Sequence, residues 1–295
     1  MADLKVFSAG VAMRIARAAV EQFQEAHPEL DVEFSGGGSV AGVNRLLGGE
    51  DIDVLILADQ TAIDEQVMPD FADGYFVWGG NEMCVTGKGI DSDNWIEKLL
   101  DPEATFRHTN PYDDPSGYRA VMAMKLADKV QAGLSDKLLN HPNYKGLDRE
   151  QYKRPPFGGP KGPGGKGPGG PPPGGPGGPK GPGGPGRGPG RPPMKDGEYM
   201  FIYLSGPASS GTDYAKLPPE MSQGDPAYED FYNSVTFTVD GGKVVKGTTV
   251  LHAIMIAKNT AHREAAEEFV RSFLENDFTA MGFTPVQKAV GDWNL

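Results

Sequence analysis

Between Leu4 and Ala58 three short apolar runs alternate with two amphipathic stretches, and that alternation leaves few folds open. Leu4 to Phe7 reads as a strand that ends in the small-residue turn Ser8-Ala9-Gly10. Ala12, Ile15, Ala16, Ala19, Val20 and Phe23 then fall on one helical stripe, closed by His27-Pro28. Asp31 to Ser35 alternates as a second strand, and Gly36-Gly37-Gly38-Ser39 leads into a helix carrying Val40, Val43, Leu46 and Leu47. Asp53 to Ala58 is almost continuously apolar, as a strand buried on both faces must be. This β-α-β-α-β order specifies a parallel sheet flanked by helices, hence an α/β fold. Ligands of such sheets collect at the carboxyl ends of the strands, so Ser8 to Val11 and Gly36 to Ser39 line one wall of a candidate cleft. No Lys-Ser/Thr follows the glycines, which excludes a P-loop. Gly36, Gly38 and Ala41 fit a relaxed dinucleotide fingerprint with Asp59 as a ribose partner; glycines that merely permit tight turns account for the same pattern.

The most distinctive stretch is Asn110 to Arg119, Asn-Pro-Tyr-Asp-Asp-Pro-Ser-Gly-Tyr-Arg. Two prolines brace adjacent carboxylates, Asp113 and Asp114, and Pro115 biases Asp114 out of the α region. Tyr118, Val121, Met122, Met124, Leu126, Ala127 and Val130 follow at helical spacing, with Ser116 as the expected N-cap. The corner is thus expected to set a carboxylate beside free N–H groups at a helix start, where anions bind. Further on, Asn81 to Gly87, Tyr199 to Leu204 and Val250 to Ile256 read as strands, and Val235 to Val245 as a hairpin over Asp240-Gly241-Gly242. Asn259 is the expected cap of a last helix bearing Phe269, Val270 and Phe273.

Composition bounds the function. Residues 155–193 hold 18 Gly and 15 Pro with five basic residues and no acid. Glycine recurs every third position only in patches and the frame breaks at Arg187, so the tract is not collagen; it reads as a disordered arm. The whole chain carries −12, and without the tract the charge is about −17, which argues against nucleic acid or an anionic membrane as partner. Cys84 is the sole cysteine, so there is no disulfide framework. No apolar stretch approaches the roughly 20 residues that span a bilayer, and the chain begins directly with a strand rather than a signal peptide. The five histidines are scattered without metal-ligand spacing and read as structural or surface residues.

Leu-Lys-Val-Phe-x-Ala-Gly at 4–10, Gly-Ser at 38–39, Ala-Asp at 58–59 and Asn-Pro-x-Asp-Asp-Pro-x-Gly-Tyr-Arg at 110–119 together resemble the tungstate/molybdate-binding proteins of ABC importers, in particular their archaeal branch. Phe-Ile-Tyr at 201–203 and Ile-x-Ile-x-Lys-Asn with Glu-Phe-Val over 254–270 extend the likeness. The resemblance implies a two-lobed, periplasmic-binding-protein-like (type II) fold with an inserted Pro/Gly-rich segment. Lobe one would be 1–80 plus 252–295, lobe two 81–154 plus 194–251, with 155–193 the inserted tract. It implies a non-enzymatic, monomeric, extracytoplasmic receptor without a cofactor, which closes on tungstate or molybdate and passes it to an ABC permease. A carboxylate in an anion site makes sense when the anion's centre is a hard, high-valent metal that accepts extra oxygen donors. Matched residue by residue, Ser39 is the lobe-one hydroxyl, Asp114 the first carboxylate and Tyr203 the closing-side hydroxyl. The second carboxylate falls on Asp196 by ungapped counting from Tyr203 and on Glu198 by local text.

Two departures stand out. Val11 occupies the place of the family's first serine, and Ser8 is the nearest hydroxyl that reaches toward it in sequence. The Pro/Gly tract replaces a strand and helix of lobe two, so that lobe is expected to be incomplete and binding weakened. Two other classes compete: a two-lobed α/β enzyme using Asp113 and Asp114 as an acid–base pair, and an interaction protein using the proline-rich arm. Deleting 155–193 separates the last of these. Pull-down by proline-recognition domains is expected to vanish if the arm is the functional part, while oxyanion affinity, measured by calorimetry, is expected to be no worse.

Overall fold

The computed structural model describes residues 3–112, 114–152, 194–293 and 295; the Pro/Gly tract and Asp113 lie outside the described residues. β1 (Leu4–Ala9), α1 (Met13–Ala26), β2 (Val32–Gly37), α2 (Ser39–Leu47) and β3 (Val54–Leu57) follow the expected order. β1 pairs in parallel with β2 on one side and β3 on the other. α1 buries Ile15, Ala16, Ala19, Val20 and Phe23, the stripe read from spacing, and β3 is buried along its whole length. Three antiparallel strands complete this sheet: β4 (Gly74–Asn81), β11 (Val250–Ile256) and β12 (Lys288–Gly291), in the order β12-β4-β11-β3-β1-β2. β4 escapes a periodicity reading because Gly79-Gly80 interrupts its apolar run. Gly80 is required there, since a Cβ would overlap the Thr284 side chain.

A second sheet, ordered β6-β7-β5-β8, holds β5 (Met83–Gly87), β6 (Thr105–Arg107), β7 (Glu198–Tyr203) and β8 (Tyr214–Lys216). Short helices surround it: α3 (Trp95–Leu99), α5 (Leu134–Leu139), α6 (Ser205–Ser210), α7 (Pro219–Ser222) and α8 (Glu229–Tyr232). α4 (Pro115–Leu126) packs against β5 and β7, and Lys125 alone among its residues is not buried. α4 is therefore a central helix rather than an amphipathic one, and it takes Arg119 into the interior with it. Among the described residues this lobe encloses a core of its own around Phe106, Val121, Phe201 and Tyr232; the tract on which its expected incompleteness rests lies outside them. β9 (Thr236–Thr238) and β10 (Val244–Lys246) form the expected hairpin. α9 (Arg263–Leu274) returns to the first sheet, where Phe269 meets Phe23 edge-on at 5.5 Å. Asn259 does not cap it. The helix begins after His262, whose N–H donates to Thr260 Oγ1 at 3.0 Å, and Thr260 in turn bonds Asp53.

The chain crosses between the sheets where β4 ends at Asn81 and β5 begins at Met83, and crosses back into β11 at Val250. A polar network sits at this crossing. Asn81 Nδ2 donates to Ser205 Oγ at 2.8 Å and faces His252 Nε2 at 3.2 Å, while His252 Nδ1 lies 2.9 Å from the Ala58 carbonyl. A carbonyl only accepts, so Nδ1 carries the proton and Nε2 accepts from the amide; the imidazole is neutral with one tautomer imposed. Trp78 stacks on it with ring centroids 5.3 Å apart. Burial, above all, pushes the His252 pKa down to about 4.

That depression links folding to pH. An unfolded histidine titrates near pH 6.5, so the contribution of neutral His252 is complete above that value and is lost as pH falls toward about 4, by about 2–4 kcal/mol in all. Urea unfolding at a series of pH values is expected to show this decline, and His252→Asn is expected to flatten it. An equal slope in the variant would assign the decline elsewhere.

Candidate functional site

The corner before α4 is built by Asp114 itself. Its backbone is extended, at φ −120° and ψ 124°, and its Oδ1 accepts the Ser116 N–H at 2.8 Å. Its carbonyl accepts from Gly117 N at 3.0 Å and Tyr118 N at 3.2 Å, and Pro115 has no N–H to give. Asp114, not Ser116, is thus the N-cap, and the first amides of the helix are already bonded. This corrects the expectation of free N–H groups at the corner. Gly117 is dictated by closeness: a Cβ would stand 2.5 Å from the Thr109 carbonyl oxygen.

What the corner offers instead is side chains. Among the described residues six buried side-chain atoms have no hydrogen-bond partner, and four of them, Thr109 Oγ1, Ser116 Oγ, Arg119 Nε and Tyr203 OH, belong to this region. Tyr203 ends β7, with its ring edge-on to His252 at 5.9 Å between centroids. Burial foremost, with the Asp59 and Asp114 charges, raises the Tyr203 phenol against the opposing pull of Arg119. It therefore stays protonated at neutral pH and presents an O–H donor.

The second wall comes from the carboxyl end of β3. Ala58 N donates to Ser39 Oγ at 3.0 Å, so the buried Ser39 hydroxyl acts there as acceptor. Asp59 Oδ1 accepts the Thr61 N–H at 2.9 Å, and Oδ2 accepts Arg119 Nη2 at 2.9 Å and the Tyr118 hydroxyl at 3.1 Å. Arg119 also donates from Nη1 to the Thr248 carbonyl at 2.6 Å and to Gln223 Oε1 at 3.3 Å. Burial alone would push the Asp59 carboxyl up; the Arg119 guanidinium and then the Thr61 N–H hold it below the ordinary carboxylate range. Both members of the pair are charged, and both are almost wholly buried, at 1% and 6% exposure for the Arg119 and Asp59 side chains. With both oxygens engaged, Asp59 has no role as a ribose ligand. Gly36 is explained by packing, because a Cβ would overlap Met13 and the Ser8 carbonyl.

Of the residues expected at the site, Asp114 lies close enough to Tyr203 for its charge to act on the phenol, and Ser39 bonds Ala58, the neighbour of Asp59. Ser8 is buried in β1 and its hydroxyl donates to the Ala9 carbonyl at 3.1 Å, so its proton is already used. Val11 lies in the turn before α1 and packs against apolar groups of both lobes. Asp196 is exposed and pairs with Lys88 at 2.8 Å. Glu198 opens β7, five residues and roughly 17 Å from Tyr203 at about 3.3 Å per residue, and accepts the Lys195 N–H at 3.2 Å. The structure brings neither Asp196 nor Glu198 to the corner; the other carboxylate near Tyr203 is Asp59. Asp113, the partner required for an acid–base pair, lies outside the described residues. Asp59 and Arg119 were not read as a pair. A signal existed in each, an acid at the end of a buried parallel strand and a cation early in an apolar helical run.

Known proteins share the fold. The periplasmic molybdate-binding protein of Azotobacter vinelandii superposes with a TM-score of 0.57 at 14% identity, over 96% of this chain and 100% of that one, which establishes a common two-lobed fold. An uncharacterized solute-binding protein of Methanococcus aeolicus is 28% identical over 288 residues, 92% of this chain and 79% of its own. The molybdate/tungstate-binding protein WtpA of Pyrococcus abyssi is 26% identical over 304 residues, 92% of this chain and 80% of its own. Residues 4–153, which contain both Asp59 and the Asp114 corner, match the model of the bacterial extracellular solute-binding proteins, and the chain belongs to that family.

Proposed function

We propose that this chain is the receptor of an ABC importer, closing on tungstate or molybdate between its lobes and passing the anion to a membrane permease. The observation that carries this reading is the set of partnerless buried donors, Ser116 Oγ and Tyr203 OH, beside the Asp114 carboxylate where the two lobes meet. Neutral hydroxyls aimed inward suit the oxygens of a dianion, because they donate without bringing a counter-charge that water would have to solvate when the ligand leaves. Ser39 supplies a further donor from the other wall.

Asp114 takes the role of oxygen donor to the metal centre. A tetrahedral tungstate or molybdate accepts a hard carboxylate oxygen, which sulfur or phosphorus at the centre of sulfate or phosphate does not. The site is thereby selective by coordination chemistry rather than by charge. The likeness in sequence to the relatives named for molybdate and tungstate supports the same ligand class. The reading assigns no catalytic residue and needs no cofactor. Extracytoplasmic placement follows from the role, and among the described residues no helix is long and apolar enough to cross a membrane.

In a thermal-shift panel, tungstate and molybdate are expected to raise the melting temperature while sulfate and phosphate leave it nearly unchanged. Asp114→Ala is expected to weaken tungstate binding at least about tenfold by calorimetry, the loss of a charge-assisted contact of roughly 1.5–3 kcal/mol; undiminished affinity would remove Asp114 from the site. Val11→Ser restores a hydroxyl in the turn before α1, and it is expected to tighten binding about tenfold. No gain would mean that the position serves only the apolar contact between lobes.

A further inference from the structure

Resting on the oxyanion reading above, we infer that Asp59 is a positioning residue that locks the Asp114 corner of one lobe onto the Ser39 wall of the other. Each partner in the lock is held rigidly on its own side. On the first lobe, Asp59 Oδ1 is pinned by the Thr61 N–H, and the preceding residue is fixed at both ends, Ala58 N to Ser39 Oγ and Ala58 O to His252. On the second, Arg119 is gripped by the Thr248 carbonyl, Thr248 Oγ1 at 3.0 Å and Gln223 Oε1, while Gln223 Nε2 returns a bond to the Arg119 carbonyl at 2.8 Å. Oδ2 of Asp59 carries the bonds that pass between the two sets, to Arg119 Nη2 and Tyr118 OH.

The placement gives those bonds their effect. Tyr118 and Arg119 follow Ser116 and Gly117 in the first turns of α4, so holding them holds Asp114 and the Ser116 hydroxyl. Ser39 is one hydrogen bond from Ala58, the neighbour of Asp59. A shift of the carboxylate therefore displaces the donors of both walls relative to each other, and positioning at a binding centre is sensitive to displacements of this kind. The lock is also reversible. Separating the lobes returns both ions to water, and regained hydration offsets much of the lost attraction, so closure is held without being permanent. In the closed form Asp59 balances the charge of Arg119, which leaves selection of the anion to the neutral donors and to Asp114.

The test compares the wild-type chain with Asp59→Asn and Tyr118→Phe, at a temperature where circular dichroism shows each variant folded. Stopped-flow dissociation of tungstate and small-angle X-ray scattering of the ligand-free proteins are measured together. Asp59→Asn is expected to release tungstate roughly tenfold faster or more, with association changed far less, and to show a larger radius of gyration. Tyr118→Phe, which keeps the ion pair, is expected to release about threefold faster. A residue of merely structural importance would lower the melting temperature and leave dissociation from the folded protein unaltered; that result overturns the inference. If no oxyanion binds the wild type, the oxyanion reading fails, and the scattering comparison still decides the lock: equal radii overturn it. If Asp59→Asn does not fold, unchanged dissociation and radius in Tyr118→Phe overturn it.

Discussion

A carboxylate and a guanidinium that have both left water must hold each other, and in this protein they do so across two lobes. Desolvating either ion alone costs several kcal/mol, so the closed arrangement is tolerable only while Asp59 and Arg119 meet. Their meeting depends in turn on three separate pieces of backbone. β3 must end where it does to bring Asp59 to the carboxyl edge of the sheet, α4 must start at Pro115 to bring Arg119 round, and Thr248 must stand just before β11 to accept from Nη1 of the guanidinium. The pair thus ties the last turn of one sheet to the first turn of the helix that fills the other lobe. Among the described residues, the nearby Ser116 Oγ and Tyr203 OH are buried without a hydrogen-bond partner.

Beneath the pair runs the crossing between lobes. Asn81, Ser205 and His252 are joined by hydrogen bonds, and Ala58, next to Asp59, accepts from His252. The crossing and the cleft wall therefore share one residue, Ala58. Tyr203 adds a second connection, since its ring rests against His252 while its hydroxyl is buried without a hydrogen-bond partner among the described residues. Hinged receptors of this fold move by absorbing rotation at a few element ends. Asn81 at the close of β4 and Val250 at the start of β11, where the chain passes between the two sheets, adjoin one another in the sheet.

Much of this was legible in the residues and some was not, for identifiable reasons. The alternation from Leu4 to Ala58 announced the parallel sheet because helical and strand periods differ and each has only one way to bury its apolar side. The Asp114 corner stood out because two prolines restrict it. What the corner presents did not, since Asp114 uses its own carboxylate and carbonyl to cap the helix that was expected to have amides to give. Asp196 follows from ungapped counting and Glu198 from the text beside Phe-Ile-Tyr, but a strand extends about 3.3 Å per residue and carries its two ends to opposite sides of a lobe. Arg119 was hidden by habit of pattern. A charged residue in a helix usually marks the solvent side, and only the burial of α4 on all sides shows that this one points to a partner. The acid it meets lies 60 positions earlier, a pairing that no local period encodes.

In the proposed site Asp114 lends an oxygen to the metal of the bound anion. X-ray absorption at the tungsten edge of the tungstate-loaded protein addresses it directly. The expected spectrum departs from that of tetrahedral tungstate in solution, with an added oxygen shell that disappears in Asp114→Ala. A bound anion whose spectrum stays tetrahedral, and is the same with and without the Asp114 carboxylate, would contradict it.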